Sequence, residues 1–163
     1  ATGVKPAHNM HGRSLRPVLE RPGAQWREFL VGEFHFHGGR PFFPRRAIRD
    51  NRFQLIHNVL AGKNKPSSSI DGDQAYENSR EARYDNTDVR RIFDRLADPP
   101  EFELYDTIED PHSLHNLAGN PKYAAQEKRL KEALVRWREE TRDPFRDPKL
   151  LEEMTARAEA FDK

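Results

Sequence analysis

Between positions 26 and 58 three short runs alternate apolar and polar residues, a pattern that is stable only as strands with one face buried. The first run spans 26–37 and alternates strictly through Glu33, Phe34, His35, Phe36 and His37, before Gly38, Gly39 and Pro41 break it. The second spans 43–49 and the third 52–58, joined by Asp50-Asn51, a two-residue link of the kind that closes a hairpin. Together they predict an antiparallel meander in which Phe34 and Phe36 turn to the core, leaving Glu33, His35 and His37 on the opposite side. A fourth strand is expected over 101–106, around Phe102, Leu104 and Tyr105.

Helical spacing takes over elsewhere. Val89, Ile92, Phe93 and Leu96 fall on one side of a helix capped by Asp88 and stopped at Asp98-Pro99-Pro100. Asn120-Pro121 opens the strongest helix, with an apolar stripe of Tyr123, Leu130, Leu134 and Trp137 meeting the sheet and a stop at Asp143-Pro144. A last helix over 147–161 carries Leu150, Leu151, Met154 and Ala158. The fold class is therefore α+β, a small antiparallel sheet of about four strands packed by a long C-terminal helix. Positions 1–25, rich in Pro, Gly and Arg, read as a lead-in. The body of the domain is 26–145, interrupted by a long polar loop over 61–87, and 146–163 is a helical tail.

Composition narrows the functions. With 35% hydrophobic and 34% charged residues the core is modest, and 28 Lys and Arg against 27 Asp and Glu leave no global field to draw in nucleic acid. No apolar run approaches a membrane span. The absence of cysteine excludes disulfides, thiolate metal sites and a thiol nucleophile, but it does not fix the compartment.

Two clusters carry chemistry. Glu33, His35 and His37 share a strand face and suit zinc or an anion, although a strand H-x-H needs a third ligand from elsewhere. The competing reading is a half-exposed sheet face. Arg45 and Arg46, with Arg49 and Arg52, offer paired donors for sulfate, phosphate or carboxylate, or else pair with nearby acids. No nucleophile elbow, glycine-rich phosphate loop, H-E-x-x-H or calcium-loop pattern occurs.

Four segments, in order, resemble the C-terminal portion of sulfatases. Gly12-Arg13-Ser14-Leu15-Arg16-Pro17-Val18-Leu19 is similar to the G-x-S-L-x-P-L-L run that closes their large α/β domain. Glu103-Leu104-Tyr105-Asp106, followed by Asp110-Pro111-His112 and Asn116-Leu117-Ala118, resembles the E-L-Y-D…D-P-x-E-x-x-N-L-A signature. Ser113 stands here for its Glu, and His115 for a usual Asn or Gln. Phe43-Pro44-Arg45-Arg46-Ala47-Ile48-Arg49 with Leu55-Ile56-His57-Asn58 is similar to the Y-P-x-R-x-V-R…L-I-x-N stretch of the heparan N-sulfatase branch. The run from Trp137 to Phe145 resembles that branch's W-x-x-E-T-x-D-P.

The resemblance implies a parent in two parts. Its N-terminal α/β domain would carry the formylglycine, made from Cys or Ser in C/S-x-P-x-R, and the ligands of a calcium ion. This chain has no such motif, so no cofactor and no catalytic residue are expected in it. It would complete the enzyme by forming one wall of the cleft for a sulfated sugar, O- or N-sulfated, with His35, His37, Arg46, Arg45 and Glu33 as substrate-binding candidates. Expected partners are that N-terminal domain and the sulfated carbohydrate, with no nucleic acid and no membrane. The compartment stays open, an exported parent (periplasmic, extracellular or lysosome-like) being the expectation. The alternative is a free-standing module that binds an anionic sugar or a partner protein.

Overall fold

The computed structural model describes residues 12, 14–36, 42–63 and 74–161. Four strands, β1 (Leu30–Phe34), β2 (Arg45–Arg49), β3 (Phe53–Asn58) and β4 (Phe102–Asp106), form one antiparallel sheet in the order of the sequence. Among the described residues five α-helices accompany it: α1 (Arg16–Glu20), α2 (Gln74–Ser79), α3 (Asp88–Ala97), α4 (Ala124–Glu140) and α5 (Pro148–Phe161). The domain is α+β, as the sequence predicts. The described part of the 61–87 stretch is not all loop, since it contains α2 and a helical turn at Ala82–Tyr84.

Register fixes which residues share a face. Val31 lies opposite Ile48, Ile48 opposite Leu55, and Leu55 opposite Leu104. Directly paired residues point the same way, so these four form the inner face. Helix α4 covers it with Leu130, Ala133 and Leu134, while Phe29, Tyr123 and Trp137 pack around the margin. Asn120 caps the turn that leads into α4, its side chain accepting from the Lys122 N–H at 3.0 Å. At α3 the cap is Thr87 rather than Asp88, its hydroxyl accepting from Arg90 N–H.

The hairpin between β2 and β3 turns one residue later than its sequence suggests. The Asp50 carboxylate accepts from the backbone N–H groups of Arg52 and Phe53 at 2.8 and 2.6 Å, and Asp50 N–H donates to Phe53 O. Asn51 and Arg52 thus become the central pair.

A second, smaller core joins Phe42, Phe43, Leu60 and Phe145 to α5 through Leu150, Leu151, Met154 and Ala158. The terminal helix is thereby tied to the segment just before β2. No described helix is long and apolar enough to cross a membrane. Trp137 is only partly buried, so Trp137→Ala should cost about 2–3 kcal/mol, below the range for a fully buried tryptophan. Chemical denaturation with fluorescence of the remaining Trp26 measures this.

Candidate functional site

Three of the sequence-predicted site residues, Glu33, His35 and Arg46, gather where β1 and β2 meet the turn after α4. Glu33 lies opposite Arg46 in the β1–β2 register, and His35 follows on the same side. Alternation along β1 therefore holds, but its sense is reversed. Val31, Glu33 and His35 belong to the inner face, whereas Phe34 and Phe36 are 45% and 55% exposed. The cause is the register with β2. Ile48 must lie under α4, and its partner Val31 carries Glu33 inward with it. His35 sets its imidazole edge-on to Phe145, ring centres 4.9 Å apart.

Arg46 is also placed differently from its sequence expectation. Rather than standing on an open wall it is 0% exposed. Its Nε and Nη2 donate to the two carboxylate oxygens of Asp143 at 3.0 and 2.7 Å, and Nη1 donates to Arg45 O at 2.9 Å. Its guanidinium lies over the Phe145 ring at 5.5 Å. The forked geometry satisfies a planar cation that could not otherwise be kept from water. Asp143 accepts in addition from Arg138 Nε at 2.6 Å and from Phe145 N–H at 3.1 Å. Burial alone would raise the Asp143 carboxyl, but the bonds from Arg46 and Arg138 outweigh it and hold its pKa down at about 2.

Glu33 is the open member of this group. Its Oε2 lies 3.4 Å from His35 Nε2 and 3.7 Å from Arg46 Nη2, with its side chain 42% exposed. Burial, seconded by the Arg46 charge, lowers the pKa of His35, which is therefore neutral at pH 7. The arrangement presents a carboxylate acceptor at the surface, beside a part-exposed neutral imidazole whose Nε2 is buried, over a buried cation. That suits hydroxyl or amine groups better than a metal, and among the described residues no three His, Asp or Glu converge as ligands.

Arg45 points to the outer face, half-buried, with its guanidinium over the Phe43 ring at 5.1 Å. His37 lies outside the described residues. Arg49 is exposed on the outer face and Arg52 pairs with Asp106. Asp143, Arg138 and Phe145 belong to the group but were not singled out by sequence. The sequence reads Asp143-Pro144 as a helix stop and as part of the W-x-x-E-T-x-D-P resemblance, with no role at the site.

The E-L-Y-D and N-L-A residues knit the sheet. Glu103 accepts from Asn58 Nδ2 at 2.8 Å and from the Tyr105 hydroxyl. Asp106 accepts from Arg52, which lowers its pKa, and from the Ile108 and Glu109 N–H groups. The Asn116 side chain bonds Leu104 N–H and Phe102 O, extending the ladder at the free edge of β4. Ser113, the departure from the signature, has a positive φ of 54°, and its carbonyl accepts from Arg95.

A four-stranded antiparallel meander lies under one long helix and is pinned by the residues that carry the resemblance to the C-terminal portion of sulfatases. Comparison with known proteins agrees, although no protein-family model matches the chain. It is 30% identical to human N-sulphoglucosamine sulphohydrolase over 153 residues, covering 88% of this chain and 28% of that protein. It is 27% identical to an ulvan-active sulfatase of Formosa agariphila, covering 83% of this chain and 26% of that one. An N-acetylglucosamine-6-O-sulfatase of Bacteroides thetaiotaomicron is 26% identical, with 89% and 19% covered. Among solved structures, a protein in complex with its substrate D-glucosamine-2-N,6-O-disulfate shares the fold with a TM-score of 0.55 and 24% identity, covering 86% of this chain and 22% of that one. A 2-O GAG sulfatase does so with 0.57 and 20%, covering 90% and 25%. The chain is thus homologous to the C-terminal part of sulfatases, and spans between 19% and 28% of the length of the curated relatives it matches.

Proposed function

We propose that this chain completes a sulfatase by forming one wall of the cleft that receives a sulfated sugar. The observation that carries the reading is the pairing of Glu33 and His35 at the open end of the sheet, half-exposed and backed by the buried Arg46–Asp143 pair. Glu33 would accept from a sugar hydroxyl or amine, and His35 would donate to a hydroxyl. Arg46 acts as a positioning residue that holds Glu33 in place. His37 and Arg45 belong to the proposed wall as flanking groups. The name of the human relative, an N-sulphoglucosamine sulphohydrolase, favours an N-sulfated amine as the substrate group.

The chemistry of sulfate cleavage would come from an N-terminal α/β domain of the same polypeptide. The resemblance assigns that domain a formylglycine and a calcium ion. The residues present here do not fit either, having no cysteine and no S-x-P-x-R, and no acidic cluster among the described residues. We therefore expect the 163-residue chain alone to give no turnover of an aryl sulfate above a heat-inactivated control.

The test of the wall uses the intact parent with His35→Ala and Glu33→Gln. kcat/KM for the sulfated sugar should fall by at least about tenfold, while a small aryl sulfate changes by no more than about twofold. Equal losses on both substrates, or none, would remove these residues from the cleft.

A further inference from the structure

His35 lies one residue past the end of β1, where the strand ladder no longer orients its side chain. Its carbonyl accepts from Phe43 N–H at 2.9 Å, which fixes the backbone there but not the ring. The second side-chain torsion of histidine is broad and two-fold, so an imidazole takes its plane from what it touches. Glu33 is a weak guide. Its carboxylate stands 3.4 Å from Nε2 and is half in water, and Nε2 is buried without a hydrogen-bond partner among the described residues. The contact that defines a plane is the ring of Phe145, met edge-on at 88°. Aromatic quadrupoles favour this geometry over other tilts.

Phe145 is itself held on every side. It lies in the short turn Pro144–Arg146 between α4 and α5 and is nearly buried. Its N–H donates to Asp143 Oδ1 at 3.1 Å, and its carbonyl accepts from Arg138 Nη2 at 2.9 Å. The ring lies under the Arg46 guanidinium and meets Phe42 at 69°, with centres 4.9 Å apart. Behind it stand Leu150, Leu151 and Met154 of α5. A fixed ring thus backs a group whose own torsions leave it free. Burial, to which such a ring contributes, is also the main cause of the lowered pKa of His35.

We propose that Phe145 is a positioning residue for the sugar wall, holding the His35 imidazole in the plane in which it meets substrate. The inference rests on the reading of Glu33 and His35 as that wall. Through Phe145 the terminal helix α5, which contributes no residue to the wall, becomes part of how the sugar is recognised.

The experiment uses the intact parent and compares kcat and KM for N-sulfated glucosamine with those for p-nitrophenyl sulfate. Phe145→Leu keeps an apolar side chain there but removes the directional edge contact. KM for the sugar should rise about fivefold, the worth of one oriented aromatic contact, with kcat and the aryl ester changing by less than about twofold. In a His35→Ala background the same substitution should change the sugar kcat/KM by less than about 1.5-fold, since the ring it orients is gone. Trp137→Ala, which removes a partly buried ring of the other core, controls for lost stability and should leave the ratio of the two KM values unchanged. Equal losses on both substrates, an unchanged sugar KM, or a full effect of Phe145→Leu in the His35→Ala background would each overturn the proposal. Should Phe145→Leu fail to fold, Phe145→Met, which adapts to irregular gaps, is judged by the same outcomes. If His35→Ala itself spares the sugar, the wall reading falls and the proposal with it. If His35→Ala is selective for the sugar and Phe145→Leu is silent, only the proposal falls.

Discussion

Asp143→Ala should lower the unfolding free energy by about 3–5 kcal/mol, the cost of stripping a buried cation of its counter-ion. Arg46 would be left 0% exposed with Glu33 as its one nearby carboxylate among the described residues, at 3.7 Å and partly in water. Arg138 would lose the same partner, and the Phe145 N–H an acceptor. Against a total stability of about 5–15 kcal/mol, the loss is a large share. Urea denaturation measures it, and a change below about 1 kcal/mol would show that the site relaxes to admit water. Replacing both charges, Arg46→Met with Asp143→Leu, should cost less than Asp143→Ala, because the fully buried cation is gone and only Arg138, part-exposed and still donating to Phe145 O, loses its carboxylate.

The pH dependence follows from the same pair. The folded-state pKa of Asp143, about 2, lies below its ordinary value of 3.8. The unfolded chain therefore binds the proton first as acid is added. The stabilisation is complete above about pH 4 and is lost as pH falls toward 2. Asp143→Asn should flatten this part of the acid-stability curve, while a variant of an exposed acid such as Glu152 should not.

Leu104→Ala is expected to cost about 3–4 kcal/mol, within the range for buried leucines. Leu104 is 0% exposed, packed with Leu55, also 0%, and Leu130 of α4. It sits on β4, an edge strand held by β3 on one side and by the Asn116 side chain on the other. The cavity would open where strand and helix layers meet, with little room for collapse. Thermal unfolding with far-ultraviolet circular dichroism checks the loss. A midpoint within 2 °C of the parent, about the error of such a comparison, would show that α4 does not close on β4.

Much of the fold is legible because its signals are local. Alternation in 43–49 and 52–58, the Asn120-Pro121 start and the Leu130–Leu134 spacing each depend on neighbours within a turn or a strand pair. The short helix α2 was missed because its residues, Gln74 to Ser79, carry no apolar stripe. The site was legible in part. Glu33 and His35 do share a face and Arg46 joins them, but the partner of Arg46 is Asp143, 97 residues later. Two motifs matched to the same branch turn out to be the two halves of one ion pair, a relation that a linear reading of either cannot supply.

Sequence alone determined the periodicities, the helix boundaries at Asp-Pro and Asn-Pro, and the sulfatase signature. Tertiary structure decided which side of β1 is inside. Alternation assigns residues to two faces but leaves their sense open, since Phe34 and Phe36 on one side and Val31 on the other are both reasonable cores. The choice falls to register. Pairing Val31 with Ile48 under α4 buries the aliphatic set, draws Glu33 and His35 in beside Arg46, and leaves both phenylalanines facing outward.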